Sequence, residues 1–368
     1  MIPRVALVHD WLTGMRGGEK VLESLCELFP DATIFTLLHV QGAVSKTIER
    51  HQIVTSFVQH LPWSETKYRN YLPLFPLAIS RFDLRGFDLI ISSSHCVAKG
   101  IPTPPGVPHI CYCHTPMRYI WNLYEDYFGP GRAGWVTRAA MRSIVGSLRR
   151  WDVRTASHPT AFVANSNNIR NRIADIYHRD AIVIYPPVDV SSARESSRDE
   201  GFLLVVTAMV PYKRVDLAIE ACNILKKRLV IVGTGPEKER LRMVAGPSIE
   251  FRGWASDEEV RELYATCSGL LFPGEEDFGM VPVEAMAYGK PVIAYAKGGA
   301  LETVREGPGA PTGVLFAEQS VGSLADAIRR FEKTEFDRSA IRQNALRFDR
   351  AEFLAAFRRL VPHQFLQP

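Results

Sequence analysis

Short runs of β-branched and other apolar residues recur along this chain, each followed by a loop and then by a stretch whose apolar positions fall three and four apart. In the first half Val5 to Val8, Leu89 to Ser92, Ile110 to Cys113 and Ala161 to Ala164 read as buried strands. Leu203 to Val206, Leu229 to Val232, Gly269 to Phe272 and Val292 to Tyr295 repeat the pattern in the second half. Strands that alternate with helices imply an α/β protein with doubly wound parallel sheets, here two of them. The segment from Tyr185 to Ser197 is rich in Pro and Ser and has no hydrophobic period, so the linker is placed there. That gives one domain over 1–187 and a second over 188–347. A last amphipathic stretch, from about Phe348 to Phe365, carries Phe353, Phe357 and Leu360 on one side.

In open sheets of this kind ligands sit beyond the carboxyl ends of the strands, and two such domains facing each other would put their loops across one cleft. The second half supplies the denser set of such loops. Gly274 to Pro291 follows a predicted strand, with Pro282 suited to the first turn of a helix that Gly289 would end. Glu276 then lies in the loop and Glu284 in the early helix, so two carboxylates reach different parts of one ligand. Gly298 and Gly299 open the turn after Val292 to Tyr295, where backbone N–H groups and a helix start suit a phosphate. After Leu203 to Val206 come Lys213 and Arg214, two cations placed to neutralise a diphosphate. Gly233 and Gly235 make a further glycine turn, which is neither a Walker loop nor a full dinucleotide fingerprint. Each of these turns, taken alone, also fits a purely structural role.

In the first half Gly17 and Gly18 precede a helix marked by Val21, Leu22, Leu25, Leu28 and Phe29. His114 sits at the tip of the strand Ile110 to Cys113, with Arg118 in the loop beyond; a histidine there is structural or functional with equal reason. From Arg132 to Arg154 six arginines face one acid, Asp152. On a helical wheel Arg138, Arg142 and Arg149 fall within roughly 40° of one another, beside Met141, Ile144, Val145, Leu148 and Trp151. An interfacial helix against anionic lipid has this pattern. So does a core-facing helix with solvated arginines.

Composition narrows the choice of class. At 46% hydrophobic and 23% charged residues the chain is an ordinary globular one, with no low-complexity region. No apolar run reaches the roughly 20 residues of a membrane span, and the start is charged too early for a signal peptide, so a cytoplasmic protein is expected. Six cysteines without C-x2-C spacing point to buried thiols rather than zinc or disulfides. The net charge of +4 is unevenly spread: 20 basic against 14 acidic residues up to position 187, then 24 against 26. The excess favours an anionic surface or ligand on the first half.

Taken together, these segments resemble family 4 of the retaining glycosyltransferases, and the similarity covers nearly the whole chain. The most specific match is the E-x7-E pattern of Glu276 and Glu284 with Phe278-Gly279 inside it. The resemblance implies the GT-B fold, with two Rossmann-like domains and a C-terminal helix, about 348–368, that crosses back to the first. It implies that Glu276 contacts the transferred sugar, Glu284 the nucleotide ribose, Lys213 the diphosphate and His114 the sugar. Gly17 and Gly18 match the family's first glycine loop, and the amides around Gly298 to Leu301 its diphosphate cradle. The position five before the lysine, often arginine in the family, is Ala208 here, and Arg214 is the candidate to replace that charge. Pro-Tyr-Lys-Arg, Val-His-Asp-Trp-Leu and the Cys-His-Thr-Pro-Met-Arg segment are similar to bacterial mannosyltransferases of lipid-linked polysaccharide assembly. The expected donor is GDP-mannose, with UDP-sugars next. The expected acceptor is lipid-linked or an oligosaccharide, at the inner leaflet of the membrane. No Asp-x-Asp motif stands where a metal would be needed, so no cofactor and no metal are expected. A nucleotide-sugar epimerase and a non-catalytic nucleotide-sugar-binding subunit are the competing readings.

Overall fold

A computed structural model describes residues 3–121, 124–129 and 134–366. The chain divides into two compact units, Met1–Pro187 with Ala351–Pro368, and Val188–Arg350. Arg132, the first of the arginines counted above, lies outside the described residues, as does the end of the 348–368 segment.

The first unit holds seven strands: β1 (Val5–His9), β2 (Thr33–Thr36), β3 (Gln52–Thr55), β4 (Leu89–Ser94), β5 (His109–Cys113), β6 (Ala161–Ala164) and β7 (Ala181–Val183). All pair in parallel, in the order β3-β2-β1-β4-β5-β6-β7. The second unit holds β8 (Leu203–Val206), β9 (Leu229–Val232), β10 (Ile249–Gly253), β11 (Gly269–Phe272), β12 (Val292–Tyr295) and β13 (Gly313–Phe316). These also pair in parallel, in the order β10-β9-β8-β11-β12-β13. Each unit is a Rossmann-like doubly wound sheet. In each the strand order reverses at one place, between β1 and β4 in the first and between β8 and β11 in the second. Helices diverge there to opposite faces and leave a crevice beyond the strand ends, which is where such sheets bind ligands.

Central strands such as β1 and β4 are buried along their whole length, as sheets covered on both faces require. The helix Arg350–Leu360 belongs to the first unit's core: Phe353 and Phe357 are buried with Leu7, Leu25 and Ile91, and both rings contact Tyr112. A fully buried phenylalanine contributes about 1.5–3 kcal/mol, so these two side chains are enough to anchor the helix to this sheet.

The long helix Trp135–Arg154 bears on the two readings left open for it above. Met141 and Leu148 are buried, and Ile144, Val145 and Trp151 pack on the same cluster with Trp11 and Phe75, so its apolar face is covered by protein. Arg149 is half-buried, donates to the Ile120 carbonyl at 2.8 Å and lies over the Trp121 ring. Arg138 is half-buried and Arg142 exposed. Of the three arginines Arg142 is the most exposed. Asp152, the lone acid of this stretch, is fully buried and paired with Lys99 at 3.0 Å, with Trp121 Nε1 and the Tyr177 hydroxyl donating to its other oxygen. Among the described residues no helix is long and apolar enough to cross a membrane. All six cysteines are free and buried.

Candidate functional site

In the second unit the loops after β8 and β11 meet at the switch point. Pro211–Lys213 forms one 3-10 turn, and the Lys213 ammonium is ion-paired with the Glu276 carboxylate. The two side chains keep 13% and 25% of their surface open to solvent, so the pair is accessible to a ligand. Gly274 keeps the loops close: a Cβ there would stand 2.9 Å from Lys213 Cα. Arg214 follows in the left-handed conformation (φ 51°) as N-cap of the helix Val215–Leu225, and its guanidinium is 3.2 Å from Asp216. That acid in the helix's first turn offsets the unfavourable placement of a cation at a helix start. Arg214 is thus turned to its own helix. Ala208, where the family often has arginine, is exposed.

Glu276 is held by its backbone as well. Gly299 N–H donates to its carbonyl at 2.9 Å, and Glu276 and Gly298 pair as a bridge, which brings the turn after β12 against the tip of β11. Gly298 has φ +66°, and a side chain on Gly299 would collide with the Phe278 backbone. Gly279 (φ +83°) starts the helix Met280–Ala287, and Phe278 is buried edge-on against Phe348. Glu284, one turn into that helix, accepts from the Tyr264 hydroxyl at 2.9 Å. Burial pushes the Tyr264 phenol well above its ordinary range, so it remains a donor to Glu284. Gly233 and Gly235 have a different reason to be glycine. Side chains at these positions would run into the carbonyls of Thr207 and Met209, so the pair packs the β9 loop against the β8 loop.

The first unit brings together groups that the sequence did not show as a set. Asp10, just past β1, is fully buried, and its two oxygens accept from the backbone N–H groups of His95, Cys96, Val97 and Ala98 at 2.6–2.9 Å. His95 Nδ1 lies 3.0 Å from the same carboxylate. Burial opposes the charge on Asp10, but the His95 ring and N–H groups outweigh it and hold the carboxyl well below the usual range. His114 stands at the end of β5, with Nε2 2.8 Å from Ser93 Oγ, and its pKa is pushed well below the ordinary value by burial, then by the neighbouring His95 and His9 rings. Asp10 counters in part, whereas the half-buried Arg118 adds to the depression. Burial therefore disfavours the charged form of His114. Gly17 and Gly18 begin the helix Gly17–Leu28 directly over this group: a Cβ on Gly18 would stand 3.4 Å from His9 Cε1 and 3.8 Å from His114 Nε2. His109, at the other end of β5, is the structural contrast. It is fully buried between Ser92 and Thr103 hydroxyls, and burial takes its pKa down to about 3.

Among the described residues no group of three or more His, Cys, Asp or Glu side chains is placed to hold a metal ion. The second unit offers an exchangeable cation beside a carboxylate and glycine turns, which suits a phosphorylated ligand. The first offers buried imidazoles and a carboxylate beside a glycine loop.

Comparison with known proteins agrees with this layout. Residues 15–192 match the family described as Glycosyltransferase Family 4, and residues 190–348 match that described as Glycosyl transferases group 1. An uncharacterized glycosyltransferase of Methanocaldococcus jannaschii is 32% identical over 190 residues, 50% of this chain and 53% of that one. A D-inositol 3-phosphate glycosyltransferase of Frankia alni is 26% identical over 224 residues, 51% and 54% of the two chains. These matches span about half the length of the curated relatives. In structure, HepE of Anabaena in complex with UDP and glucose superposes over 96% of this chain and 98% of its own, with a TM-score of 0.69 at 18% identity. The chain is thus a protein of the GT-B fold, its first part of the glycosyltransferase family 4 type and its second of the group 1 type.

Proposed function

We propose that the protein transfers a sugar from a nucleoside-diphosphate sugar to a hydroxyl of an acceptor, with the second unit binding the donor and the first the acceptor. The observation that carries this reading is the ion pair of Lys213 and Glu276 at the β8/β11 switch point, beside the Gly298-Gly299 turn. A diphosphate takes Lys213 and leaves Glu276 for the sugar hydroxyls; Glu284, oriented by Tyr264, takes the ribose hydroxyls. The leaving diphosphate is stabilised by Lys213, in place before reaction, without a metal. Arg214 serves this purpose only by leaving Asp216. The family resemblance supports retention at the anomeric carbon, with the departing phosphate helping to deprotonate the acceptor.

GDP-mannose is the donor favoured by the resemblance of Pro211-Tyr212-Lys213-Arg214 and the segment around His114. UDP-sugars are the alternative, supported by structural relatives that contain UDP and UDP-glucose. The same resemblance favours a lipid-linked or oligosaccharide acceptor of bacterial surface polysaccharide synthesis. Association with the inner leaflet would rest on exposed Arg142 and the basic balance of residues 1–187, without an inserted apolar stripe. A screen of GDP-mannose and UDP-sugars, with and without a lipid-diphosphate acceptor extract, tests the reading. Nucleotide release that depends on acceptor and is lost in Glu276→Ala supports it. An altered nucleotide sugar formed without acceptor would mean an epimerase, and binding without turnover a non-catalytic subunit.

A further inference from the structure

Behind His114 runs a line of buried polar side chains that sugar transfer, as proposed above, does not use. Ser93 Oγ lies 2.8 Å from His114 Nε2 and 3.1 Å from His9 Nδ1. The other nitrogen of His9, Nε2, is 3.8 Å from Glu19 Oε1. Ser93 and His9 are fully buried, Glu19 is nearly so, and His9 Nε2 has no hydrogen-bond partner in its buried position. The second oxygen of Glu19 is already committed, accepting the Arg16 N–H at 3.0 Å where the helix Gly17–Leu28 begins. Three strand ends and one helix start, distant in sequence, supply this line.

The rules of donors and acceptors give it a direction. A carboxylate only accepts, so the first N–H of His9 belongs on Nε2, because a lone pair facing a carboxylate in a dry interior would be repelled. With its proton there, His9 Nδ1 accepts from the Ser93 hydroxyl. Ser93 Oγ can then only accept from His114, whose single N–H must be on Nε2. The lone pair of His114 is left at Nδ1, and no described residue bonds that atom.

We propose that Glu19, His9 and Ser93 are positioning residues that lock His114 in its Nε2–H tautomer, so that His114 meets the substrate as a hydrogen-bond acceptor and selects a hydroxyl group. The inference rests on the sugar-transfer reading for its substrate, but the hydrogen-bond line can be tested apart from it. A doubly protonated His9 would reverse Ser93 and turn His114 into a donor at Nδ1, which is the arrangement to be distinguished.

Long-range nitrogen–proton NMR on the full chain, labelled at histidine and held near neutral pH, reads the tautomer directly. The expected spectrum has His114 protonated at Nε2 and bare at Nδ1; protonation at Nδ1 in the unaltered protein overturns the proposal. Glu19→Gln is the isosteric probe. Its amide oxygen stays with the Arg16 N–H, so its NH2 faces His9 Nε2 and reverses every donor along the line. The His114 proton is then expected on Nδ1, with kcat reduced about 100-fold, as for loss of one preorganised hydrogen-bonding group, and the donor KM changed by less than about twofold. In a Ser93→Ala background the same change should leave the His114 signals unmoved, because the link is cut. An unmoved tautomer in Glu19→Gln alone overturns the proposal whatever the activity. A tautomer that flips in a protein that transfers no sugar keeps the line and removes the transferase reading.

Discussion

At the switch point of the first sheet the charged groups are buried and fully bonded within the unit, whereas at the switch point of the second they are half-buried and paired with each other. Asp10 has four backbone N–H groups and His95 around it and no exposed surface. Lys213 and Glu276 have each other and remain partly open. The contrast follows from what each place must do. A buried, fully bonded carboxylate keeps a histidine cluster in one geometry before any ligand arrives. A half-buried ion pair that is still open to solvent can exchange its partner for a phosphate without unpacking the unit.

The comparison breaks most severely at Asp10. Asp10→Asn points an NH2 at backbone N–H groups and leaves buried donors without partners, so we expect a loss of about 3–5 kcal/mol in denaturant unfolding of the first unit. Nucleotide binding by the second unit should persist. Lys213→Ala should do the opposite: unchanged unfolding, with kcat/KM reduced by roughly 10²–10³-fold, as for removal of one preorganised charge stabiliser. A third difference concerns acid. His109 is neutral when folded, with its pKa taken down to about 3, and titrates near 6.5 when unfolded. Between those values the unfolded chain binds the extra proton, so stability falls as pH falls, by up to about 1.4 kcal/mol per pH unit for this one group. His109→Gln should flatten the slope of stability against pH by that contribution. Smaller still, Ala208→Arg adds an exposed cation beside the β8 loop and should tighten donor binding several-fold, by about 1 kcal/mol or less. Smallest of all, Arg142→Glu should leave thermal stability within about 0.5 kcal/mol, and a fall in vesicle co-sedimentation would support the membrane reading.

The two sites also differ in how far they can be read from sequence. Lys213, Glu276, Glu284 and the Gly298-Gly299 turn lie in contiguous loop-to-helix segments, so strand periodicity and a helix-start proline place them. His9, Glu19, Ser93, His95 and His114 come from separate elements that the order β1-β4-β5 brings together, and nothing local announces that order. The one hint is polar residues closing apolar strands, His9-Asp10 at the end of β1 and Ser92-Ser93-Ser94-His95 at the end of β4. Eight strands are read from their apolar runs; β2, β3, β7, β10 and β13 are not, although β13 is itself the apolar run Gly-Val-Leu-Phe. Apart from β2 these lie toward or at the sheet edges, and β3, β7 and β10 are only partly buried, with Gln52, Glu250 and Arg252 among their residues. The arginine helix shows the limit of the helical wheel: it finds an apolar stripe but not what covers it, and here the covering is the first unit's own core. Glycine signals likewise do not reveal their cause, since Gly233 and Gly235 answer to neighbouring carbonyls.

The central claim is that Lys213 exchanges Glu276 for the donor's diphosphate. Calorimetric titration of the nucleoside diphosphate and monophosphate into the unaltered protein and Lys213→Ala tests it most directly. The account predicts that diphosphate affinity drops at least about tenfold, a difference of roughly 1.4 kcal/mol, while monophosphate affinity holds. Equal losses for both nucleotides, or none for either, would contradict it.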